Sequence, residues 1–535
     1  VNGSGHSSPW YNIASKVKRV VIGSGISSIV PLTQSICGSI GYSGVFDWCD
    51  NLTDIYVAAG NSVYESIDGV LFSKPTAENE YIRRLLLYPR GRSASYSVPV
   101  NTDIVNATSF AGSKVISVTI SDSVKCIGAG AFYLCANLET VSIGAGATDI
   151  HLYCEEEYGY YCNCIGACFD GCSKLQTITV SPKNSAYEAE DGVLYNKGKT
   201  KLLRCAPGLR GTLVIPDGVR EVDYKAFFYC QVNNVILPQS LTLIRSGAFQ
   251  YCDYMCSITI PKSVTAIDGA FWQCERLRNG YCDIYYGGSA AEWNAIIVGE
   301  YNNDLISAVN KGKIHYNTEM PAGVCEDGLL WSVSRAGVLT ISGKGAMDEE
   351  LYGAVKGPWV YYTDIINEIN ITEGVSSIGI CAFDHCGAAE TVRIPKSVKS
   401  IGSYAFFRYS PTPITNVYYA GTATEWAKIA IAEGNEKLTN ATIHYAGLGI
   451  PTITLTTASN GNPIIKWTKV DGAAQYEVYR SDTGKDNTFK IIRRTAGLTY
   501  TDTAAATGKT YYYVVRAING STAGKFCAAK SVAVA

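Results

Sequence analysis

The chain has 535 residues, 47% hydrophobic and 17% charged, with a formal net charge of −2 at pH 7. This length exceeds what one hydrophobic core supports, and the composition is that of a folded globular protein, so several domains are expected. So small a net charge favours neither nucleic acid nor a membrane surface as a partner. No apolar run reaches the length needed to span a bilayer, so no membrane insertion is expected.

The N-terminal region predicts a flexible segment followed by degenerate repeats. Residues 1–16 are rich in Gly and Ser, a composition typical of a flexible terminus. A β-branched run begins near Val20, and Phe46-x-x-Cys49 follows an insertion at about 30–44.

A longer similarity then indicates two copies of one block. Residues 61–72 match residues 184–195 with an offset of 123. Both segments contain Asp-Gly, at Asp68 and Asp191, which predicts a hairpin turn between strands. The array over roughly 17–260 is therefore predicted to be two copies of a five- or six-coil block, the second with its own insertion at about 151–164.

The second insertion is rich in cysteine and tyrosine. Zinc ligands are usually Cys and His, but the spacing here matches no common zinc motif, so a zinc site, a local disulfide and free thiols all stay open. Its tyrosines are a candidate contact surface, or they pack the insertion onto the coil behind it. The residues concerned are His151, Cys154, Cys162, Cys164 and the nearby Cys168, with Tyr158, Tyr160 and Tyr161.

The clearest repeats lie between residues 214 and 274. Each unit is about 22 residues long and contains a short β-branched run, a proline, an Ala-Phe pair and a Cys three residues after the Phe. Such a period is the signature of a solenoid. One unit cannot bury its own apolar face, so we expect stacked units in which strands pair and Phe227, Phe249 and Phe271 form a continuous row.

The spacing also predicts a role for the cysteines. Seven of the nineteen lie three residues after a repeat Phe: Cys49, Cys135, Cys172, Cys230, Cys252, Cys274 and Cys386. Stacking would place them in an inward column, where a thiol behaves as a small buried hydrophobe. The cysteine count therefore says little about the redox compartment.

Two similar segments predict terminal caps, and a short second array lies between them. Residues 283–316 and 416–445 share Tyr-Tyr, Glu-Trp and Ile-His-Tyr, and Ser289 is a plausible helix N-cap. Trp293 and Trp426 suit the covering of a last apolar layer, and the cap histidines, His315 and His444, are interpreted as structural. Between the caps, residues 330–341 predict a hairpin, and two coils follow.

The C-terminal region carries no repeat. Short strand runs and a central Trp467 over about 85 residues indicate a β-sandwich. Alternation predicts that Tyr511, Tyr513, Val515 and Ala517 face one side.

These motifs resemble known families. The pattern IP-x-x-V-x-x-I-G-x-x-AF-x-x-C, with full spacing at Phe132, Phe249 and Phe383, is similar to the BspA-type leucine-rich repeat of bacterial and protist surface proteins. Residues 446–535 resemble a fibronectin type III domain, with Trp467 and Tyr511 at its core positions. The expected fold class is mainly β, a leucine-rich-repeat solenoid in two capped arrays followed by a sandwich. The expected domains are 1–16, a flexible segment; 17–316, a first array with its cap; 317–445, a second array with its own caps; and 446–535, the fibronectin-like domain.

The sequence motifs favour a non-catalytic binding protein. No dinucleotide fingerprint, nucleophile elbow, zinc-protease motif or phosphate loop is present, so no catalytic residue, cofactor or metal is predicted. The resemblance implies a secreted or cell-surface protein, and we expect a monomer that adheres to a host glycan or matrix protein. A passive spacer is the alternative. Outward positions of the repeat strands should form the binding face, and Ile236 is predicted to be outward as well. The candidate binding residues are Tyr56, Thr119, Ser142, Thr179, Thr259 and Arg393, together with Tyr158, Tyr160 and Tyr161 of the insertion.

Overall fold

The computed structural model describes residues 11–29, 45–46, 48–77, 80–150, 168–318, 320–325, 328–347, 357–406, 413–445, 448–470, 472–485, 488–520 and 522–534. These residues divide into two compact units, residues 1–320 and 321–535. Strands dominate both units, and in the repeat arrays most of them pair in parallel, one above another. The predicted mainly-β solenoid is confirmed.

The first part of unit one begins with a 3₁₀ helix at Tyr11–Lys16, and Ala14 within it is 1% exposed. Ala14 packs in the first apolar core, and residues 1–10 of the predicted flexible segment lie outside the described residues. The strands are β1 (Arg19–Ile22), β2 (Asp54–Val57), β3 (Tyr64–Ile67), β4 (Val70–Ser73), β5 (Arg84–Leu87), β6 (Ser95–Ser97), β7 (Ile104–Val105), β8 (Ser117–Thr119), β9 (Cys126–Ile127), β10 (Thr140–Ile143), β11 (Asp149–Ile150) and β12 (Thr177–Val180).

The second part of unit one repeats this arrangement and ends in the cap. Its strands are β13 (Tyr187–Glu190), β14 (Val193–Asn196), β15 (Lys201–Cys205), β16 (Thr212–Val214), β17 (Glu221–Val222), β18 (Asn234–Ile236), β19 (Leu243–Ile244), β20 (Ser257–Ile260), β21 (Ala266–Ile267), β22 (Asp283–Tyr286), β23 (Ile297–Val298) and β24 (Ile314–His315). Helices lie at Glu275–Asn279, Ala290–Trp293 and Asn303–Asn310. Each coil gives one strand to the sheet β16-β18-β20-β22-β24 and one to the parallel sheet that contains β17, β19, β21 and β23.

Two hairpins interrupt the coils where the duplicated segments were found. Asp68 and Gly69 have φ of 47° and 70°, and Asp191 and Gly192 have φ of 50° and 75°. Positive φ at both central residues is the requirement of a type I′ turn, so the predicted hairpins β3–β4 and β13–β14 are confirmed.

The repeat phenylalanines form the predicted row. Ring centroids of Phe227 and Phe249 are 4.7 Å apart, and those of Phe249 and Phe271 are 5.0 Å apart, with the rings nearly parallel. Phe110 and Phe132 continue the same contact in the earlier coils at 5.0 Å. All five rings are fully buried, so the row is the core of the solenoid.

The repeat cysteines are buried, as predicted, but they also donate hydrogen bonds. Cys252 Sγ lies 3.0 Å from the carbonyl oxygen of Phe227, and Cys274 Sγ lies 2.9 Å from that of Phe249. Cys135 makes the same contact with Phe110 at 3.0 Å. Each of these carbonyls also accepts a backbone N–H, so each thiol adds a second hydrogen bond that links its coil to the preceding one, which a hydrocarbon side chain would not do.

The array of unit two carries its own row of aromatic rings. Trp359, Phe383 and Phe406 follow one another at 5.5 and 5.4 Å. The strands are β25 (Ala322–Val324), β26 (Leu330–Val333), β27 (Val338–Ser342), β28 (Gly345–Ala346), β29 (Glu368–Ile371), β30 (Val375–Ile378), β31 (Thr391–Ile394), β32 (Ser400–Ile401), β33 (Asn416–Tyr419), β34 (Ala430–Ile431) and β35 (Thr442–Tyr445). A 3₁₀ helix spans Pro358–Tyr362, and α-helices span Ala423–Trp426 and Glu436–Thr439. β26 and β27 pair as the predicted hairpin.

The C-terminal strands form two facing sheets, which confirms the predicted sandwich. They are β36 (Ile453–Thr457), β37 (Pro463–Trp467), β38 (Gln475–Ser481), β39 (Lys490–Thr495), β40 (Thr499–Thr501), β41 (Thr510–Asn519), β42 (Thr522–Ala523) and β43 (Lys530–Ala533). The sheets are β36-β37-β40 and β39-β38-β41-β42, with β43 also on β41. Trp467, Tyr511, Tyr513, Val515 and Ala517 are all buried between them.

Both caps have the predicted form. Ser289 Oγ accepts a hydrogen bond from the backbone of Glu292, whose carboxylate accepts one from the Ser289 backbone. Thr422 and Glu425 repeat this capping box in unit two. Such a box stabilises a helix of only four residues, which explains the short turn that carries each buried cap tryptophan.

Candidate binding surfaces

Three predicted site residues lie together on the outer face of one sheet. Thr119, Ser142 and Thr179 are in register on β8, β10 and β12. Thr179 Oγ1 donates to Ser142 Oγ at 3.0 Å, and all three side chains are exposed or half-buried. The alternation argument therefore placed this row correctly, and it presents small hydroxyl groups without charge.

Thr259 does not belong to an exposed face. It is 2% exposed, and Ile236 beside it on β18 is 1% exposed, so the prediction of outward access is wrong for both. In register, Thr259 lies between Ile236 and the larger Tyr285, and its hydroxyl accepts a hydrogen bond from Leu237 N at 3.0 Å. Strand alternation fixes the direction of a side chain, but its neighbours decide whether a partner can reach it.

The other two described candidates, Tyr56 and Arg393, do not belong to the sheet that carries Thr119, Ser142 and Thr179. Tyr56 on β2 is 45% exposed and belongs to a two-stranded sheet. Arg393 lies on β31 in unit two, where its guanidinium carbon is 4.6 Å from the Tyr418 ring centroid. Tyr418 stacks in turn on His444 at 4.6 Å, so these three residues form a row across β31, β33 and β35.

The predicted cysteine and tyrosine cluster falls largely outside the described residues, which applies to His151, Cys154, Cys162 and Cys164 and to Tyr158, Tyr160 and Tyr161. Cys168 is described, and it is a buried free thiol that packs in the repeat core beside Phe169. Its burial raises its pKa to about 12, so this thiol stays protonated near neutral pH. No group of three or more potential metal ligands occurs among the described residues.

An exposed aromatic cluster lies elsewhere, on the turns that follow Phe227, Phe249 and Phe271 and on the cap at Tyr301. We call it the aromatic ridge, and it consists of Phe228, Tyr229, Tyr251, Trp272 and Tyr301. Tyr229, Trp272 and Tyr301 are 49%, 45% and 50% exposed. Exposed aromatic clusters of this kind are enriched at protein interfaces.

The backbone of consecutive turns is fixed by hydrogen bonds that run from coil to coil. Phe227 N donates to Ala248 O at 2.7 Å, and Tyr229 N donates to Gln250 O at 3.1 Å. The next turn repeats the pattern from Tyr251 N to Trp272 O at 3.3 Å. Equivalent residues of successive coils are thereby held one above another.

These turns require a left-handed residue two positions after the Phe. Gly112 and Gly171 occupy this position in earlier coils, with φ of 68° and 76°. In the ridge the same position holds Tyr229, Tyr251 and Gln273, with φ of 56°, 59° and 55°. A left-handed conformation disfavours residues with a Cβ by about 1–2 kcal/mol. Two large aromatics thus stand where glycine would be easier to accommodate.

The rings of the ridge pack on one another. Tyr229 and Tyr251 are stacked with centroids 4.4 Å apart and planes 2° from parallel. Phe228 meets both rings edge-on, and Trp272 lies 5.8 Å from Tyr301. Partial burial, followed by the effect of Tyr251, raises the pKa of Tyr229, so the phenol is neutral at physiological pH.

A buried arginine supports the ridge from below. Arg204 has a side chain 1% exposed, and its Nη2 is 2.8 Å from Asp170 Oδ1. Arg204 also donates to Lys225 O at 2.6 Å and to Phe228 O at 3.1 Å. The first turn of the ridge is therefore tied to a buried ion pair, which limits the positions its aromatic rings can adopt.

Sequence reasoning missed the ridge because it used the constant residues of the repeat and not the two variable ones. The signal was present in AFFYC, AFQYC and AFWQC, where the positions between Phe and Cys are largely aromatic.

Stacked parallel coils with inward Phe and Cys define a leucine-rich-repeat type of solenoid. The family model for the BspA type leucine rich repeat region matches six copies, over residues 92–201, 210–283 and 358–445. The chain belongs to this family.

Solved structures give further likenesses. A leucine-rich repeat protein from Eubacterium ventriosum is 19% identical, covering 76% of this chain and 86% of its own, with a TM-score of 0.33. A leucine rich cell surface protein from Faecalibacterium prausnitzii is 17% identical, covering 69% and 97%, with a TM-score of 0.25. An Fn3-like protein from Clostridium thermocellum is 27% identical over 16% of this chain and 88% of its own, with a TM-score of 0.15. No curated protein matches the sequence. Within the described residues, no helix is long and apolar enough to cross a membrane.

Proposed function

We propose that this chain is a non-catalytic binding protein, secreted or held at the cell surface, whose aromatic ridge contacts a protein partner such as a host matrix protein. The observation that carries the proposal is the pair Tyr229 and Tyr251, large aromatics in left-handed backbone positions with stacked rings. Local strain of this kind is a reason to look for function, since two earlier coils make the same turn with Gly112 and Gly171, while Leu134 and Trp48 hold the position in two others.

A partner protein suits the ridge better than a glycan suits the outer hydroxyl row. Aromatic side chains are enriched in the cores of protein interfaces, and a few of them carry most of the binding energy. A passive spacer does not need a cluster of half-exposed rings, and its surface should show only ordinary apolar patches. Membership of a surface-protein repeat family, and the likeness to a protein described as a cell surface protein, support the proposed location.

The test uses two matched triple variants on an array of host matrix proteins and glycans. The ridge variant combines Tyr229→Asn, Tyr251→Asn and Trp272→Ser; Asn tolerates the left-handed position, so the turns should still form. The control combines Thr119→Ala, Ser142→Ala and Thr179→Ala on the outer strand face. We expect the ridge variant to lose at least about 30-fold in affinity, since one hot-spot residue contributes about 2 kcal/mol, and the control to bind normally.

The other outcomes are equally informative. Loss of binding in the control alone would transfer the function to the strand face. Capture of glycans and no protein would contradict the proposed partner class. If the wild-type chain binds nothing on the array at micromolar concentration, the spacer becomes the better interpretation.

A further inference from the structure

We propose that the Trp272 end of the ridge receives a cationic side chain, arginine or lysine, presented by the partner; this rests on the proposed binding function of the ridge. Trp272 and Tyr301 lie 5.8 Å apart, their planes differ by 49°, and both are about half exposed. Tryptophan offers the best aromatic face for a cation, at distances within about 6 Å of the ring centroid.

The opposite end of the ridge already shows this contact within the chain. Lys225 Nζ lies 4.8 Å from the ring centroid of Phe228 and 5.3 Å from that of Tyr224. Among the described residues, no cationic side chain lies over Trp272 or Tyr301. The ridge therefore has one aromatic end with a cation and one that is open to a cation from outside.

The surrounding charge favours a cationic partner. Residues 217–304, which contain the ridge, carry ten Asp and Glu against six Lys and Arg, and Lys201 outside this range also pairs with Glu221 and Asp223, so the region keeps an excess of three acidic groups. Glu300, which precedes Tyr301, is exposed, and Asp253 near the Tyr251 turn is half-buried. A partner that presents positive charge would be attracted to this region, and a partner that presents negative charge would be repelled.

Gln273 adds an acceptor at the same place. Its Oε1 atom is buried and has no hydrogen-bond partner among the described residues. Gln273 follows Trp272 directly and occupies the left-handed position that Tyr229 and Tyr251 hold in the two preceding coils. A guanidinium or an ammonium group consists only of donors, so it is chemically complementary to this acceptor once the Gln273 side chain turns outward, whereas a carboxylate is not.

The test labels the eight tryptophans with 5-fluorotryptophan and follows their ¹⁹F resonances, with Trp272→Phe assigning the signal of interest. The probes are a capped arginine peptide and the matched citrulline peptide, which has nearly the same shape but no charge. We expect the Trp272 resonance to shift with arginine and not with citrulline. Tyr301→Leu should weaken the arginine response by about two- to fivefold, the effect of one exposed cation–π contact.

Trp48 is the internal control, because it is another exposed tryptophan on a turn after a repeat Phe; it follows Phe46 by two residues, has φ of 69° and is 55% exposed, whereas Trp272 follows Phe271 directly. An equal shift of Trp48 would mean that any exposed indole responds, and would overturn the site. An equal response to citrulline, or none to arginine, would do the same. If sedimentation shows that the chain self-associates and that Trp272→Ala abolishes this association, the occupant of the Trp272 site is a second copy of the chain. Failure of the array experiment with a positive peptide result would leave this site standing and remove only the proposed matrix partner.

Discussion

Asn302 is a position where one substitution should have a large local effect. Its side chain is 1% exposed, and Nδ2 donates to Ile267 O at 2.9 Å and to Gly299 O at 3.0 Å. Its Oδ1 accepts from Phe271 N at 3.2 Å. One side chain thus satisfies three buried backbone groups where the last coil of the first array meets its cap.

Asn302→Leu keeps the branching at Cγ and removes all three hydrogen bonds, although Ile267 O still accepts from Gly299 N at 2.9 Å. A buried polar group left without a partner costs about 1–3 kcal/mol, so the loss of partners at Phe271 N and Gly299 O would cost about 2–6 kcal/mol, less whatever water entry recovers. We therefore expect the free energy of local opening to fall by about 3 kcal/mol or more. Asn302→Asp keeps the acceptor and loses both donors, so its effect should be large for the same reason.

Hydrogen exchange read by mass spectrometry is the appropriate assay because each coil of a solenoid contacts mainly its neighbours. Amides of residues 266–310 should exchange on the order of 100-fold faster, from the 3 kcal/mol loss, while those of residues 92–150 stay protected. Asn435 makes the matching bonds to Gly402 O and Ala432 O in unit two, so Asn435→Leu should shift exchange there instead. Unchanged exchange near residue 302 would refute the reasoning.

Two further predictions concern titratable groups. Burial raises the pKa of Cys274 to about 12. At pH 8 the thiols of the repeat column should therefore react with Ellman's reagent far more slowly in the native protein than after denaturation. Rapid reaction of the native protein would mean that these thiols lie near solvent. Burial alone would raise the pKa of Glu477, but hydrogen bonds, led by that from Arg516, lower it. The ionised Glu477 carboxylate should stabilise the sandwich fully above the pKa of about 4.3 that Glu has in the unfolded chain. This stabilisation should be lost as the pH falls through the lower pKa that Glu477 has in the folded protein. In denaturation experiments at several pH values, Glu477→Gln should remove this acid-dependent loss of stability. If the stability of the wild-type protein and of the variant falls equally with pH, the prediction is wrong.

The solenoid could be predicted because its determinants are periodic in the sequence. Alternation fixed the inward direction of Ile258, and the 22-residue recurrence of Phe and Cys fixed the stacking. The hydrogen bond from Cys252 to the preceding coil could not be predicted, because it depends on the distance between two coils and not on spacing along one. The prediction that Thr259 is exposed was wrong for a similar reason, since its exposure depends on the size of its neighbours in register.

The charge around the ridge was not predicted, because the expectation about partners rested on the net charge of −2 of the whole chain. Residues 446–535 carry eleven Lys and Arg against five Asp and Glu, a formal charge of +6, so residues 1–445 carry −8. Charges further apart than about 8 Å are largely screened at physiological salt. A partner at Trp272 therefore responds mainly to the charges of the coils around it. A near-neutral total leaves a charged partner as plausible as an uncharged one, and the composition of each surface has to decide between them.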